Sequence, residues 1–286
     1  MYEYNYIIKK LRNFFQDQHG FIEIPTQERA SILAACEDPA TITTFTVGQT
    51  LFPLPQTGQM WLEHELLKNP SVPGVFCVTT SYRDEPHIIP GRHKKIFQMF
   101  EFESHGSMED LALLESKLLA YLELPIPCAL SYEDACAHYK TSFIESDQEA
   151  RICKDFNPSV LLKNFPQRTH PFWNMKKGDD GLFKKIDVIL YGMETIGSAE
   201  RSTNPDEMRE LFFTISDGGY AELLFSHFGK DRVLRELDEF LSFSFFQRFG
   251  GGIGVYRLEQ ALRQAGMFDE NISMPAQASH MRLTQV

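Results

Sequence analysis

A loop between two predicted strands carries several groups that suit phosphate binding. Arg83 and Glu85 end the first strand, and the second strand, Phe97–Glu103, begins after a loop of residues 86–95. The loop contains four consecutive basic residues: Arg92, His93, Lys94 and Lys95. Their N–H donors suit phosphate oxygens, and Phe97 could stack on a flat base, an interaction worth about 1–3 kcal/mol. The alternative interpretation is a solvated basic hairpin.

Two carboxylates bracket an apolar strand later in the sequence. Asp187 and Glu194 stand seven residues apart around the run Ile186–Tyr191. Acidic groups beside a buried strand are costly unless they are paired or bind a metal. Mg²⁺ is commonly held by one or two carboxylates together with phosphate oxygens. The pattern therefore indicates either a magnesium site or two salt-bridged acids at the strand ends.

A glycine-rich segment, Gly250–Leu258, lies near the end of the sequence. Its spacing differs from that of the dinucleotide-binding fingerprint, and no Gly-Lys-Ser/Thr follows it as in a P-loop. Glycines at such a place let the backbone approach a ligand or a neighbouring strand closely. Arg257 follows at the start of a predicted helix, where it could clamp a phosphate.

Apolar periodicity predicts the elements that position these residues. Helical spacing predicts helices at Tyr6–His19, Asp110–Leu122, Pro205–Ser216, Asp231–Phe243 and Tyr256–Ala265. Apolar and β-branched runs predict strands at Phe21–Ile24, Val75–Ser81, Phe97–Glu103, Ile186–Tyr191 and from Gly250 onward. The strands do not alternate regularly with helices. This order predicts an α+β fold on a mainly antiparallel sheet flanked by helices.

The composition is that of a globular protein, with 286 residues of which 43% are hydrophobic and 23% are charged. No apolar run approaches the ~18–20 residues that cross a bilayer, and the N-terminus lacks the zones of a signal peptide, so we expect a cytoplasmic protein. A net charge of −11 disfavours a long polynucleotide as the main partner. The five cysteines show no CxxC spacing, which argues against a disulfide framework or a zinc site.

In this order, the motifs resemble the signature motifs of class II aminoacyl-tRNA synthetases. The resemblance is carried by three segments, similar to motifs 1, 2 and 3 respectively: Leu11–Thr26, Tyr82–Glu103 and Gly250–Leu258. Further stretches are similar to the asparaginyl and aspartyl branch: Cys36–Val47, Thr57–Glu63, Arg92–Glu101, Phe165–Met175 and Glu194–Arg201. The resemblance spans nearly the whole chain, from about Leu11 to Leu262.

The resemblance implies that five of these residues bind ATP. Arg83 would bind the α-phosphate together with the substrate carboxylate. Glu85 would contact the adenine amino group, and Phe97 would stack on the ring. His93 and Arg257 would hold the outer phosphates.

The resemblance also implies residues that bind the amino acid and Mg²⁺. Three polar residues would receive the α-ammonium group: Glu37, Gln59 and Glu101. Arg201, seven residues past Glu194, would face the substrate side chain, and Asp187 and Glu194 would bind Mg²⁺. The helix and strand similar to motif 1 imply a homodimer.

Several positions depart from the family pattern. Gln27 replaces the motif 1 proline, and Leu62 replaces the lysine by which aspartyl enzymes select a carboxylate. Ile96 replaces the motif 2 glutamate, and Tyr256 replaces the acid before the motif 3 arginine. Ser198 and Ala199 replace a glycine and a serine. The changes bear on dimer geometry and on side-chain selection. Leucine at position 62 is as in the asparaginyl type.

We expect one catalytic domain at residues 1–268 and a flexible tail at 269–286. Because the segment similar to motif 1 begins within the first dozen residues, we expect no anticodon-binding domain, which does not favour tRNA as a partner. Archaeal asparagine synthetase-related proteins resemble this arrangement and use ammonia in place of tRNA. The resemblance therefore implies an ATP-dependent ligase that forms an aminoacyl-adenylate from Asp, Asn or a close analogue and passes it to a small nucleophile such as ammonia.

Two other functions remain open at this point. A truncated synthetase paralogue would acylate tRNA, a carrier or a pathway intermediate. A catalytically inactive paralogue would only sense an amino acid. Most of the residues that match the family's site are retained, which counts against an inactive protein, whereas Ala199 and Tyr256 keep that alternative open.

Overall fold

An eight-stranded β-sheet forms the centre of the structure, a computed structural model that describes residues 1–26 and 31–268. The strands in these ranges are β1 Ile22–Glu23, β2 Thr44–Val47, β3 Thr50–Pro53, β4 Gly74–Tyr82, β5 Ile96–His105, β6 Cys128–Ser131, β7 Ser159–Phe165, β8 Phe183–Leu190, β9 Met193–Glu200 and β10 Arg248–Gly254. The α-helices are α1 Tyr2–Arg12, α2 Ile32–Ala35, α3 Gln59–Lys68, α4 Met108–Tyr121, α5 Tyr132–Tyr139, α6 Ser146–Asp155, α7 Pro205–Thr214, α8 Gly219–Phe228, α9 Lys230–Leu241 and α10 Val255–Gln264.

The sheet is mainly antiparallel, as the sequence predicts. Its strand order is β1-β4-β5-β10-β9-β8-β7-β6, and β2 and β3 form a separate two-stranded hairpin. Only the end pairs β1–β4 and β6–β7 are parallel within the described residues. The predicted α+β fold class is therefore confirmed.

Strand alternation gives the sheet one apolar face and one polar face at its centre. On the apolar face, Phe100 and Phe102 of β5 and Ile253 of β10 pack with Leu111 of α4 and Leu258 of α10. The opposite face carries a row of residues paired across four strands: Glu101, Gly252, Gly197 and Asp187. Acidic side chains on the outer strands of this row thus flank two glycines at its middle.

A second apolar cluster stands beside the polar face. Helices α7, α8 and α9 pack their buried residues around the fully buried Trp173. Helix α3 begins directly after Gly58, whose amide hydrogen bonds to Glu101 at 2.8 Å. Because the helix start is tied to the sheet in this way, Gln59 is fixed above the glycine row.

The element boundaries differ from the predicted ones where one side of an element is exposed. Helix α1 begins at Tyr2 rather than Tyr6 because its first turn is exposed and lacks apolar periodicity, and it continues into a π-helical turn, Asn13–Gln18. Only Ile22–Glu23 of the predicted strand Phe21–Ile24 pairs with β4. The sequence pattern did not predict helix α6, because this helix has few apolar positions and buries Ile152 and Cys153.

Several expectations concern the chain as a whole. All five cysteines are free, and Cys128 is only partly buried. No helix within residues 1–26 and 31–268 is long and apolar enough to cross a membrane. The predicted tail at 269–286 and the motif 1 departure at Gln27 lie outside the described residues.

Candidate functional site

An open cavity lies on the polar face of the sheet, between the loop that joins β4 to β5 and the start of α10. Eight of the eleven predicted site residues line it: Glu37, Gln59, Arg83, Glu85, His93, Phe97, Glu194 and Arg257. The structure thus brings together residues that lie up to about 220 positions apart in the sequence. Of the basic loop, Arg92, His93 and Lys94 line the cavity, and Lys94 is also exposed to solvent.

Glycine backbone forms the floor of this cavity. Gly197, Gly252 and Gly254 line it. A Cβ on Gly252 would lie 2.7 Å from the side chain of Met99 and 3.2 Å from that of Gln59, so no larger residue fits without displacement. The absence of a side chain at Gly252 therefore makes room for Met99 and Gln59 against β10 at the edge of the cavity.

Arg83 stands at one side of the cavity with a paired charge. Its guanidinium forms an ion pair with Glu37 and lies 5.8 Å from the centre of the Phe97 ring. The charge of Glu37 is the largest influence that raises the pKa of Arg83. The Nε atom of Arg83 is buried and has no hydrogen-bond partner among the described residues. An anionic ligand in the cavity could provide one.

His93 and Arg257 line the same cavity near a second group of charges. His93 Nδ1 lies 3.7 Å from Glu85, and burial, followed by the charge of Arg257, lowers the pKa of the imidazole. Burial therefore favours the neutral imidazole, which keeps one N–H for donation. Arg257 Nη1 donates to the backbone oxygen of Glu194 at 2.7 Å. These contacts fix both side chains at the cavity wall.

Tyr256, the residue that stands in place of the usual acid, supports the basic loop. The ammonium of Lys94 lies 3.6 Å from the centre of the Tyr256 ring. Both residues line the cavity. A cation over an aromatic face at this distance is attracted by the ring, with a free energy of about 0.5–1 kcal/mol at exposed sites. Tyr256 therefore contacts Lys94 of the basic loop through its ring.

Asp187 and Glu194 converge on the same point of the floor. A Cβ built on Gly197 would lie 3.2 Å from Glu194 Oε1 and 3.8 Å from Asp187 Oδ1. Asp187 Oδ1 is buried without a hydrogen-bond partner, whereas its Oδ2 accepts from Lys185 at 2.7 Å. Burial raises the pKa of the Asp187 carboxyl group although Lys185 opposes this effect. Asp187 lies below the cavity lining, and Lys185 was not identified from the sequence.

These two carboxylates fit a magnesium ion only in part. Within the described residues, no group of three or more His, Cys, Asp or Glu side chains could hold a metal. The unpartnered Asp187 Oδ1 and the nearby Glu194 Oε1 leave two oxygens for a hard cation. Mg²⁺ usually completes its octahedron with water and substrate phosphates, so a site of two carboxylates suits a nucleotide-bound ion. Each acid also contacts a basic side chain, Lys185 or Arg257, so the salt-bridge interpretation applies as well.

Arg201 lines a second, smaller cavity that shares Glu37 and Gln59 with the larger one. Its side chain is nearly inaccessible and donates to Glu103 through Nε at 3.1 Å and to the Gln59 amide oxygen at 2.8 Å. Arg201 is thus tied to Glu103 and Gln59, and yet it lines the smaller cavity.

A second buried ion pair continues this network. Arg248 Nη2 lies 2.8 Å from Glu63 Oε1, and Glu63 Oε2 lies 3.5 Å from Arg201 Nε. Asn174 donates to Glu63 at 3.0 Å. Glu63, Glu103 and Arg248 were not identified from the sequence, because nothing in their local spacing indicates partners so far along the chain.

Glu101 does not line either cavity. Its carboxylate is fully buried and accepts from the hydroxyl of Thr79 at 2.6 Å, from the Gly58 amide and from Thr57. Burial is the largest influence on its pKa, which is raised. The structure therefore gives Glu101 the task of holding the start of α3, and with it Gln59, against the sheet.

Comparison with known proteins agrees with this architecture. The sequence matches the family of class II tRNA synthetases (D, K and N) over residues 3–277. A search of curated proteins gave no significant match.

Solved structures with the same fold include asparaginyl-tRNA synthetases from Pyrococcus horikoshii and Entamoeba histolytica, each in complex with asparaginyl-adenylate. The first is 18% identical with a TM-score of 0.75 and the alignment covers 92% of this chain and 65% of that one. The second is 20% identical with a TM-score of 0.70, and the covered shares are 91% and 62%.

A putative aspartyl-tRNA synthetase from Leishmania major Friedlin is 14% identical with a TM-score of 0.72, and the covered shares are 91% and 61%. This chain thus spans less than two thirds of the length of each of these structures. At such identities the likeness establishes the fold, and the family match establishes the lineage. The chain belongs to the class II tRNA synthetase family of the D, K and N type.

Proposed function

We propose that this protein is an ATP-dependent ligase that converts Asp, Asn or a close analogue into an aminoacyl-adenylate. One observation carries the proposal. The larger cavity, lined by basic residues and Phe97, and the smaller cavity beside Arg201 share Glu37 and Gln59. A nucleotide in the first and an amino acid in the second would therefore meet beside Arg83. The asparaginyl-adenylate in the Pyrococcus and Entamoeba structures supports the same chemistry.

The proposed reaction joins the two ligands at the α-phosphorus. A carboxylate oxygen of the amino acid attacks that phosphorus in line, and pyrophosphate leaves. Arg83, with its unpartnered Nε, would orient the carboxylate and the α-phosphate, while His93 and Arg257 would hold the outer phosphates. Catalysis of this kind comes from alignment and from neutralising charge, with little covalent chemistry by the protein.

Mg²⁺ would be held by Asp187 and Glu194 and would supply neutralisation of phosphate charge. The protein's own part is to aim these carboxylates. Lys185 holds Asp187 Oδ2, so that Oδ1 faces Gly197. Arg257 holds the backbone of Glu194.

We propose that the acyl group then passes to a small nucleophile, with release of AMP. If the side-chain carboxylate of Asp is the one that forms the adenylate, ammonia would displace AMP there and give asparagine. The acidic net charge of −11 is consistent with a small acceptor. Acylation of tRNA, a carrier or a pathway intermediate is the competing acceptor chemistry, and it leaves the first half-reaction unchanged.

The buried charges near the smaller cavity bear on the substrate side chain. Arg201 pairs with Glu103 and Arg248 pairs with Glu63 within the same network, and burial raises the pKa of the Glu103 carboxyl group to about 7. A carboxamide could accept a hydrogen bond from Arg201 without adding charge. A second carboxylate would add an unbalanced negative charge in a buried place, which is costly. The balance therefore favours a neutral polar side chain over an acidic one.

We expect Glu103→Gln to raise the ratio of Asp-dependent to Asn-dependent ATP–pyrophosphate exchange by about tenfold, a change of about 1.4 kcal/mol. The substitution removes one negative charge beside Arg201 while keeping the side-chain size.

We expect the Arg201→Leu protein to lose the preference for Asp and Asn over leucine by about 2–5 kcal/mol, the usual penalty for truncating a buried charged pair. Full Asp and Asn activity in Arg201→Leu would mean that Arg201 has only a structural role.

The metal proposal predicts that Asp187→Asn and Glu194→Gln each lower exchange by several orders of magnitude. Each substitution removes a charge at the point where the two carboxylates converge and keeps the shape of the side chain. The matched control is Asp179→Asn, an exposed acid outside both cavities, which should exchange like the unaltered protein. Thermal unfolding would verify that all variants fold. Unchanged exchange in either site variant would rule out the metal assignment.

We also propose a homodimer. Helix α1 and strand β1 match the segment similar to motif 1, and β1 is an exposed edge strand whose Ile22 is 45% accessible. Closed two-fold dimers are the commonest oligomers. Sedimentation at micromolar concentration should therefore give twice the chain mass of 32.9 kDa. A species of single-chain mass alone would contradict the dimer.

A further inference from the structure

Glu149 of α6 joins two parts of the candidate site that are far apart in the sequence. We propose that Glu149 is a positioning residue, whose carboxylate holds the basic loop 86–95 against the β8–β9 turn that leads to Glu194, so that the nucleotide cavity is assembled before ATP binds. The inference rests on the proposed function for its meaning but not for its geometry. Neither sequence motifs nor family resemblance had pointed to this residue.

A single carboxylate oxygen makes both contacts. Glu149 Oε2 accepts from Arg92 Nη2 in an ion pair, and it accepts from the backbone N–H of Glu194 at 2.8 Å. Arg92 Nη1 also donates to the backbone oxygen of Gly192 at 3.1 Å. The side chains of Arg92 and Glu149 are each only 12% accessible. Charge-assisted hydrogen bonds shielded from water in this way are stronger than those at an open surface.

The backbone of the β8–β9 turn requires this close packing. Tyr191 and Gly192 both have positive φ angles, of 47° and 88°. A Cβ on Gly192 would lie 2.9 Å from the Cα atom of Ala150. Helix α6 therefore packs directly on the turn, and this brings the neighbouring Glu149 to the N–H of Glu194.

Glu194 is consequently held from both sides of its backbone. Its N–H donates to Glu149, and its carbonyl oxygen accepts from Arg257. With the backbone fixed, its carboxylate lies over Gly197 on the same side as Asp187 Oδ1. Glu149 thus aims a proposed metal ligand without touching the metal or the nucleotide.

The same contact sets the position of the basic loop. His93 follows Arg92 directly and lines the nucleotide cavity. On the other side of the loop, Lys94 lies over Tyr256 of α10. The loop is therefore fastened to α6 through Arg92 and to α10 through Lys94. Loss of the contact with α6 should free the loop to move away from the cavity, because surface loops with few anchors open most readily.

The test is limited trypsin digestion of the protein without nucleotide, with cleavage sites mapped by mass spectrometry. Trypsin cuts after Arg92, Lys94 and Lys95 if the loop opens. We expect Glu149→Ala to speed these cuts by about tenfold or more. Glu149→Gln, which can still accept from the Glu194 N–H, should restore part of the protection. The matched control is Asp147→Ala, an exposed acid on the same helix, which should leave the rate unchanged.

A second measurement follows binding rather than cleavage. Mn²⁺ affinity in the presence of a non-hydrolysable ATP analogue, measured by electron paramagnetic resonance, should fall about tenfold in Glu149→Ala and stay unchanged in Asp147→Ala. A merely structural role in α6 would lower the unfolding temperature without changing loop cleavage or Mn²⁺ affinity. If Glu149→Ala fails to fold, Arg92→Gln breaks the same contact from the loop, and cleavage after Lys94 and Lys95 is then the measure.

The outcomes separate the two proposals. Unchanged cleavage in a folded Glu149→Ala or Arg92→Gln protein overturns the positioning role, whatever the activity. Faster cleavage in a protein that exchanges pyrophosphate with no amino acid supports the loop contact and contradicts the proposed function. Faster cleavage together with weaker Mn²⁺ binding supports the positioning role in full.

Discussion

The site depends on one constraint, the absence of side chains along the middle of the polar sheet face. Gly252 and Gly197 pair with each other at the centre of a row that ends in Glu101 and Asp187. Nearby, a Cβ on Gly250 would lie 2.0 Å from the Glu103 carboxylate, so this glycine makes the room that Glu103 needs to reach Arg201. Bare backbone on two strands therefore forms the floor of the larger cavity and leaves the space for the buried ion pairs beside it.

Charged groups around this floor are balanced before any ligand arrives. Arg83 pairs with Glu37, and Asp187 pairs with Lys185. The buried side chain of Arg201 pairs with Glu103, and that of Arg248 pairs with Glu63. Removing one partner from a buried pair leaves an uncompensated charge, which typically costs about 3–5 kcal/mol. The pairs therefore hold each side chain in one place. Such fixed charges are what a reaction that develops charge at phosphorus requires, because they need not reorganise as it proceeds.

Local pattern was sufficient for the parts of the fold and site that lie on continuous elements. The strands at 75–81 and 97–103 and the glycine-rich strand carry their signals in neighbouring residues, and family resemblance added the proposed roles of Arg83, His93 and Arg257, whose side chains line the cavity. Partners that meet only in three dimensions could not be predicted. Arg248 and Glu63 lie 185 residues apart, Arg201 and Glu103 lie 98 apart, and Glu149 reaches Glu194 across 45. Glu101 illustrates the same limit. The resemblance implied that it binds the α-ammonium group of the substrate, whereas in the structure it hydrogen bonds to Thr79 and Gly58 and is buried beneath α3.

The central claim is that the two adjoining cavities form an aminoacyl-adenylate. The most direct measurement is amino-acid-dependent ATP–pyrophosphate exchange across all standard amino acids, repeated with ammonia and with tRNA to identify the acceptor. We expect exchange to be highest with Asn or Asp and to require no tRNA. Binding of ATP and an amino acid with no exchange for any of them would contradict this account and would identify the protein as a sensing paralogue.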